Sequence, residues 1–220
     1  MSHSPVPRLQ LALDHTRLDA ALETAQRLHH QVDIVEAGTL LCLSTGIDAV
    51  RQLRQLLPGK TLVADFKVAD AGATLAKLAF EAGANWITVI CSAPLATFAS
   101  ALEVARQHQG DIQIELFGHW TLEDARRWRE LGLKQAIYHR GRDAQASGQQ
   151  WSPQDLDAMK ALSDLGFALS VTGGITPDEL PQFRDIDVKA FIVGRALSES
   201  ADGLATAADF HQAIANIWGH

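Results

Sequence analysis

The sequence predicts an α/β fold, a single domain in which eight parallel β-strands alternate with helices and close into a barrel. Its 220 residues, 47% of them hydrophobic, provide enough apolar material for one large core. Eight short β-rich segments alternate along the chain with longer segments of helical periodicity. No linker or shift in composition interrupts this series, so residues 1–220 are assigned to one domain, with residues 1–7 as an N-terminal segment.

Each predicted strand is a short run rich in β-branched and aliphatic residues. The eight predicted strands are residues 9–14, 32–38, 61–67, 86–91, 112–118, 135–141, 168–174 and 190–195. Right-handed crossover connections place every intervening helix outside the strands, which predicts a (β/α)8 TIM barrel. An open, doubly wound sheet of eight strands is the alternative.

The connecting segments have the pattern of amphipathic helices. Leucine and alanine recur at intervals of three and four residues, for example over residues 18–29 and 49–57. Two helix starts also carry capping signals: Thr121 stands three residues before Asp124, and Ser152 precedes Asp155 with a proline between them. These patterns predict crossover helices between the strands.

Composition and charge exclude several classes of protein. The formal net charge of −7 offers no basic surface to nucleic acid. Cys42 and Cys91 lie in apolar segments without the spacing of metal ligands or the density of a disulfide scaffold, which predicts buried thiols in a reducing compartment. No apolar run reaches about 18 residues, and the first seven residues do not resemble a signal peptide. We therefore expect a cytoplasmic protein without a membrane or nucleic-acid partner.

Polar residues lie at or just after the carboxyl ends of the predicted strands. These residues are Asp14, Glu36, Asp65, Lys67, Glu115, His139, Arg142, Thr172 and Arg195. In a (β/α)8 barrel the carboxyl ends of all strands meet at one mouth. The sequence therefore predicts one site built from residues that are spread over most of the chain.

The segment Asp65-Phe66-Lys67-Val68-Ala69-Asp70 places two carboxylates and an ammonium at the end of an apolar strand. Residues i and i+2 of a strand share a face, so Asp65 and Lys67 are expected on the same side. The functional interpretation is a catalytic ion cluster with surplus negative charge. The alternative is a solvated strand end that carries an ordinary ion pair.

Two further strand ends have the composition of a phosphate site. Thr172-Gly173-Gly174-Ile175 follows the seventh strand, and Val193-Gly194-Arg195-Ala196 follows the eighth. Glycine permits close backbone approach, and arginine can donate two hydrogen bonds to one phosphate. These two strand ends are the usual location of phosphate in this fold. The pair predicts phosphate binding.

Taken in order, the strand-end motifs resemble those of the orotidine monophosphate decarboxylase suprafamily. The motifs are A-L-D at 12–14, V-E-A-G at 35–38, D-F-K-V-A-D at 65–70, I-E-L at 114–116, Y-H-R-G-R-D at 138–143, V-T-G-G-I at 171–175 and V-G-R-A at 193–196. Within the suprafamily, the series is most similar to the 3-keto-L-gulonate 6-phosphate decarboxylases. Glu36 stands where the orotidylate decarboxylases hold a lysine, and this resembles the metal-dependent branch of the suprafamily. That resemblance implies loss of CO₂ through a metal-stabilised enediolate to give L-xylulose 5-phosphate.

The resemblance also implies a role for each site residue. Glu36 and Asp65 are expected to bind Mg²⁺, and Lys67 to stabilise the enediolate. Asp14 and Asp70 are expected to contact the substrate and position Lys67, with Asp70 supplied by the second subunit of a homodimer whose active sites lie at the interface. The remaining expectations are proton delivery through water by His139 and Arg142, positioning of substrate hydroxyls by Glu115, and binding of the phosphorylated sugar acid by Thr172, Gly173, Gly174, Gly194 and Arg195.

Three other functions remain open from the sequence. A hexulose-6-phosphate synthase would use the same enediolate to add formaldehyde, but relatives of that type tend to lack the polar set that matches Arg142 and Thr172. An isomerase or epimerase would need an acid/base pair without this metal chemistry. A noncatalytic sugar-phosphate sensor would have no use for Lys67 between two aspartates. The five tryptophans are predicted to serve in packing, and His139 alone could also be a packing residue.

Overall fold

The computed structural model describes residues 6–116, 118–200 and 202–219 and shows a closed barrel of eight parallel strands. The strands are β1 (Arg8–Leu13), β2 (Ile34–Ala37), β3 (Thr61–Val68), β4 (Trp86–Ile90), β5 (Asp111–Leu116), β6 (Gln135–His139), β7 (Ala168–Thr172) and β8 (Val188–Val193). β8 returns to pair with β1, with Leu9 opposite Phe191. This closure confirms the predicted TIM barrel and excludes the open sheet.

Helices fill the connections on the outside of the barrel. They are α1 (Leu18–Leu28), α2 (Thr39–Thr45), α3 (Asp48–Leu56), α4 (Gly72–Glu81), α5 (Leu95–Gln107), α6 (Leu122–Leu131), α7 (Arg142–Ala146), α8 (Pro153–Asp164), α9 (Arg195–Ser198) and α10 (Gly203–Trp218). The connection from β7 to β8 is instead a 3₁₀ segment, Pro177–Phe183. Pro181 lies inside this segment and lacks the N–H that an α-helix requires, which explains the difference.

Both predicted capping signals are confirmed. The Thr121 hydroxyl accepts a hydrogen bond from the Asp124 amide, while the Asp124 carboxylate accepts one from the Thr121 amide. Ser152 and Asp155 form the same reciprocal pair at the start of α8. Each pair satisfies two backbone donors that a helix start leaves without intrahelical partners.

Several predicted strands extend too far. The runs 9–14, 32–38, 86–91, 112–118, 135–141, 168–174 and 190–195 continue one or two residues beyond the strands that form, and residue 117 lies outside the described residues. The chain turns there towards the next helix, so pairing ends at residues such as His139 and Thr172 and does not include the glycines that follow. β8 also begins two residues earlier than predicted, at Val188.

The alternation of side chains divides each strand between two environments. In β1, Leu9, Leu11 and Leu13 are fully buried in the main core with residues of the surrounding helices. The intervening Gln10 and Ala12 face the barrel lumen, where Gln10 contacts Glu36 and Ala12 packs with residues of β6 and β8. The lumen therefore contains both polar and apolar side chains. In the described part of the chain, no helix is long and apolar enough to span a membrane.

Candidate active site

A cavity of about 940 Å³ opens at the carboxyl ends of the strands. It contains every predicted site residue except Asp70: Asp14, Glu36, Asp65, Lys67, Glu115, His139, Arg142, Thr172, Gly173, Gly174, Gly194 and Arg195. Asp70 is exposed just after β3 and is not part of the cavity wall in a single chain. Its predicted arrival from a second subunit therefore stays a prediction.

One side of the cavity holds a buried ionic cluster. The carboxylates of Glu36, Asp65 and Glu115 belong to residues that are 6%, 5% and 3% exposed. Lys67 Nζ lies 2.6 Å from Asp65 Oδ2 and 3.3 Å from Glu115 Oε1. Three acids thus surround one ammonium group. Charges are costly to bury without partners, so this excess of carboxylates is typical of a functional site.

Lys67 reaches this cluster through an irregularity in β3. The pairing of β3 with β4 shifts register between Ala64 and Val68, and Lys67 has a left-handed backbone conformation with φ of 45°. The Lys67 amide donates to the hydroxyl of Thr88 on β4, which supports this conformation. The predicted proximity of Asp65 and Lys67 is correct, but it does not arise from a regular pleat.

Asp65 is held as an anion by four donors. Its carboxylate accepts hydrogen bonds from Lys67, from the Thr39 amide and hydroxyl, and from the Thr88 hydroxyl. Burial acts to raise the pKa of Asp65, but the charge of Lys67 and these hydrogen bonds outweigh burial and lower the pKa. Burial acts to lower the pKa of the Lys67 ammonium, but the negative charges of Glu115 and Asp65 outweigh burial and raise this pKa.

The environment of Glu36 shifts the pKa of its carboxyl in the opposite direction from that of Asp65. Burial raises the pKa of Glu36 well above its usual value, and the nearby charge of Asp65 raises it further. The Gln10 side-chain amide donates to Glu36 Oε2, whereas Oε1 accepts no hydrogen bond from the described residues. An added cation beside Glu36 and Asp65 would relieve their repulsion and use this remaining oxygen.

Glu115 joins the ionic cluster to His139. His139 Nδ1 lies 2.5 Å from Glu115 Oε1, the same oxygen that is near Lys67 Nζ. This contact orients the imidazole ring at the mouth of the cavity. The interpretation of His139 as a packing residue is therefore not supported. Glu115 itself is engaged by two side chains in addition to any contact with substrate hydroxyls.

The opposite side of the cavity contains the predicted phosphate residues. Gly173 and Gly174 have φ of 117° and 65°, conformations that glycine adopts without strain. In the described part of the chain, the amides of Gly173, Gly174 and Gly194 donate to no protein acceptor. Arg195 is exposed beside them and donates to the Gln145 side chain at 3.2 Å. We call the three amides and Arg195 the phosphate subsite.

Arg142 is paired with Asp14 and not with His139. The Arg142 guanidinium lies 3.0 Å from Asp14 Oδ2, across the mouth from β1 to the start of α7. This ion pair brings together two residues that are 128 positions apart. The pair uses Nη2 of Arg142, and a guanidinium has further N–H donors for substrate or water, so the pair is compatible with a role in proton delivery.

Sequence reasoning missed several residues of the cavity wall. The prediction that the tryptophans serve only in packing is incomplete, because Trp120 and Trp151 line the cavity. Thr39, Tyr138, Arg140 and Gln145 also line it. Arg140 was visible within Y-H-R-G-R-D, directly after His139. Nothing in the residue pattern separates a mouth-lining tryptophan from a core one, because Trp151 at the mouth and the buried Trp128 both have polar or charged neighbours in the sequence.

Comparison with known proteins gives consistent findings. Residues 7–210 match the model of the Orotidine 5′-phosphate decarboxylase / HUMPS family. The chain is 62% identical over 213 residues to 3-keto-L-gulonate-6-phosphate decarboxylase SgbH of Escherichia coli (strain K12), covering 97% of each protein. It also matches the crystal structure of KGPDC from Streptococcus mutans in complex with D-R5P, with a TM-score of 0.95, 43% identity and coverage of 97% and 100% of the two chains.

A crystal structure of 3-hexulose-6-phosphate synthase is more distant. It matches with a TM-score of 0.88 and 32% identity, over 94% of this chain and 99% of that one. The barrel is therefore shared with the synthases, whereas the greater sequence identity is with the decarboxylases.

Proposed function

This chain belongs to the orotidine 5′-phosphate decarboxylase / HUMPS family, and we propose that it decarboxylates 3-keto-L-gulonate 6-phosphate to L-xylulose 5-phosphate. The relatives named as decarboxylases make it a carboxy-lyase. The single observation that carries the proposal is Lys67, a partly buried ammonium group between Asp65 and Glu115 at one end of a cavity whose other end has free amides and Arg195.

This geometry suits a substrate with a phosphate at one end and a β-keto acid at the other. The phosphate subsite would bind the phosphate and hold the reacting carbons against the ionic cluster. When the bond to the carboxylate breaks, CO₂ leaves and the electron pair moves onto the adjacent ketone, which gives an enediolate. The Lys67 ammonium is already fixed in place, so it can stabilise this developing charge without reorganisation.

Glu36 and Asp65 are suited to hold Mg²⁺. Their carboxylates provide the hard oxygen ligands that Mg²⁺ prefers, and Glu36 Oε1 is available in the described structure. Within the described residues, no group of three or more His, Cys, Asp or Glu side chains forms a metal site. Substrate oxygens and water would therefore have to complete the coordination. Bound there, Mg²⁺ would supply additional positive charge to the oxygens of the enediolate.

Protonation of the enediolate completes the reaction. The proton must be delivered to the carbon that lost CO₂, and His139 is placed beside the ionic cluster for this step. Glu115 orients its ring through Nδ1. Arg142 begins α7, three residues after His139, and its ion pair with Asp14 holds its guanidinium at the cavity mouth, where it would orient a water molecule. Both residues line the cavity, which supports a role at this stage.

We also propose that the protein functions as a homodimer with Asp70 completing the site of the partner. The supporting observations are the exposure of Asp70 and of large apolar side chains on neighbouring helices. Leu43 of α2 is 79% exposed, and Leu78 of α4 and Leu95 of α5 are each 42% exposed. Exposed apolar surface of this kind favours association. Asp70 lies in the connection from β3 to α4, the helix that carries Leu78.

Product formation tests the proposed function. Purified protein is incubated with 3-keto-L-gulonate 6-phosphate, and release of CO₂ and formation of L-xylulose 5-phosphate are measured in parallel. The same preparation is assayed for condensation of formaldehyde with ribulose 5-phosphate, the reaction expected of a synthase. A decarboxylase will give the larger kcat/KM in the first assay. A larger value in the second assay, or no CO₂ at all, would contradict the proposal.

A further inference from the structure

Arg140 is a buried arginine behind the phosphate subsite. It follows β6 and is among the residues that line the cavity, although its side chain is only 4% exposed. The guanidinium carbon lies 4.5 Å from the centre of the Trp151 ring, so one face of the group is covered by an aromatic side chain. An arginine this deeply buried requires hydrogen-bond acceptors for its donors.

Those acceptors are the carbonyls of the glycine turn. Arg140 Nε donates to Gly173 O at 2.8 Å, and Nη2 donates to Gly174 O at 3.3 Å. The two glycines are in left-handed conformations, and a Cβ at Gly173 would lie 2.2 Å from the Arg140 carbonyl oxygen. Glycine is thus required at 173 for the turn to approach Arg140 closely.

The same side chain anchors the far end of the turn. Its guanidinium lies 3.4 Å from Glu179 Oε1, and the other oxygen of Glu179 accepts a hydrogen bond from the Thr176 amide. At the near end, the Arg140 amide donates to Thr172 O at 3.0 Å. The segment 172–176 is therefore fixed at both ends and in the middle through one residue.

The orientation of the peptide groups in the turn determines whether carbonyls or amides face a bound anion. A carbonyl directed at a phosphate would repel it, whereas an amide would donate to it. Arg140 binds the Gly173 and Gly174 carbonyls, whereas the amides of both glycines have no protein acceptor among the described residues, and both glycines line the cavity. Arg195, in contrast, is exposed and can reach an anion directly.

We propose that Arg140 is a positioning residue for phosphate binding: it holds the Gly173–Gly174 carbonyls away from the cavity so that the amides are preorganised for the phosphate of the substrate. This inference rests on the proposed function for the identity of the substrate. It does not require Arg140 to contact the substrate, because Nε, Nη1 and Nη2 are all engaged by the turn and Glu179.

The chain contains a matched control at the opposite end of the barrel. Arg129 Nε donates to Leu165 O at 3.1 Å and Nη1 to Leu133 O at 2.6 Å. Its guanidinium carbon lies 5.3 Å from the centre of the Phe167 ring. Arg129 therefore stabilises two backbone carbonyls and an aromatic contact as Arg140 does, but before β6 and β7 and away from the cavity.

The experiment compares Arg140→Lys with Arg129→Lys. Lysine keeps the positive charge but cannot bind two carbonyls with the geometry of a guanidinium. Isothermal titration of inorganic phosphate and of D-ribose 5-phosphate measures binding without catalysis, while thermal unfolding reports stability. We expect Arg140→Lys to weaken both ligands about tenfold and to raise KM similarly, with kcat changed by about twofold or less. Arg129→Lys should lose stability to a similar extent and bind both ligands as the wild type does.

Glu179→Gln provides a second variant should Arg140→Lys fail to fold. It keeps the size of the side chain but weakens the anchor, and we expect a loss of phosphate affinity of about threefold. Wild-type affinity in a folded Arg140→Lys protein, or in Glu179→Gln when Arg140→Lys is unfolded, would overturn the inference. An equal loss of phosphate affinity in Arg129→Lys would overturn the inference as well, because the loss would then follow from lower stability of the whole protein and not from the position of Arg140. If the titrations behave as expected and no variant or wild type releases CO₂, the proposed function fails while the role of Arg140 stands.

Discussion

Lys67 and Asp65 are only two residues apart, and they form an ion pair where the strand that carries both is irregular. The register of β3 shifts between Ala64 and Val68, and Lys67 adopts a φ of 45° that is uncommon for a residue with a side chain. Its ammonium then lies between Asp65 and Glu115. Strained backbone that is held by a neighbouring hydrogen bond is typical of functional sites, and here it aims the proposed electrophile at the cavity.

Replacement of Lys67 tests its proposed role directly. We expect Lys67→Met to reduce kcat by about 10³-fold or more, because the developing negative charge loses its fixed partner. The fold should be retained with lower stability, since three buried carboxylates remain without their cation. Steady-state kinetics and thermal unfolding measure the two effects.

Lys77→Met is the matched control for this prediction. Lys77 pairs with Glu81 at 3.8 Å on an exposed helix surface, where ion pairs contribute little. Activity and stability should both be unchanged there. A Lys67→Met enzyme with near wild-type kcat would show that Lys67 has only an electrostatic role in folding.

Removal of the metal is expected to stop turnover. Treatment with EDTA should abolish CO₂ release, and added Mg²⁺ should restore it. Calorimetry should detect one Mg²⁺ site in the wild type and none in Glu36→Gln or Asp65→Asn, because each variant removes a charged oxygen ligand. Asp48→Asn, an exposed acid on α3, serves as the control and should bind Mg²⁺ normally. Full activity in chelator would refute the metal assignment.

Arg195 is predicted to act mainly on substrate binding. Arg195→Ala should raise KM about tenfold or more, since the phosphate contact is made in both ground and transition states. Some loss of kcat is expected if phosphate binding also positions the reacting end. Arg184→Ala, at an exposed position outside the cavity, is the control. An unchanged KM in Arg195→Ala would place the phosphate elsewhere.

Mixed dimers test the contribution of Asp70 from a second subunit. Asp70→Asn and Lys67→Met should each be inactive alone. If a site combines Lys67 of one chain with Asp70 of the other, equal mixing after subunit exchange will give heterodimers with one intact site. Activity should then recover to about a quarter of the wild type. No recovery, in a mixture shown to exchange, would argue that Asp70 acts within its own chain or not at all.

The capping box of α8 should give the protein a measurable acid dependence. The Asp155 carboxylate accepts hydrogen bonds from Ser152 and also from the Tyr138 hydroxyl at 2.8 Å. Burial acts to raise the pKa of Asp155, but these hydrogen bonds outweigh it and lower the pKa below 3.8. A lowered folded-state pKa stabilises the protein above the unfolded value, and that contribution is lost as pH falls through the folded value.

Asp155→Asn is therefore expected to lower the free energy of unfolding by about 1–2 kcal/mol at neutral pH. The difference from the wild type should diminish as the pH falls below 3.8. Asp124→Asn removes the equivalent acid of α6, whose carboxylate accepts side-chain hydrogen bonds from Thr121 and, among the described residues, none from a tyrosine, and should cost less. Chemical denaturation at several pH values measures both. A pH-independent difference would show that the charge of Asp155 is immaterial.

The alternation of β-rich and amphipathic segments was enough to predict the barrel, because a chain of consecutive βα units has few ways to bury the apolar faces of its helices. The strand-end residues could be selected for a similar reason. Parallel strands all direct their carboxyl ends to the same side, so a polar residue at that end belongs to the mouth whichever strand carries it. Glu36, His139 and Arg195 were all identified in this way.

The partners of those residues were decided only by the tertiary structure. Lys67 contacts Glu115, Arg142 contacts Asp14, and Arg140 lies beneath the glycine turn, although each pair is far apart in sequence. Such contacts depend on strand register, on a bulge in β3 and on side-chain directions across the barrel. Local sequence patterns carry the periodicity that defines strands and helices, and therefore which residues reach the mouth. They do not carry the distances between strands, and those distances decide which charges meet and which arginine stays buried.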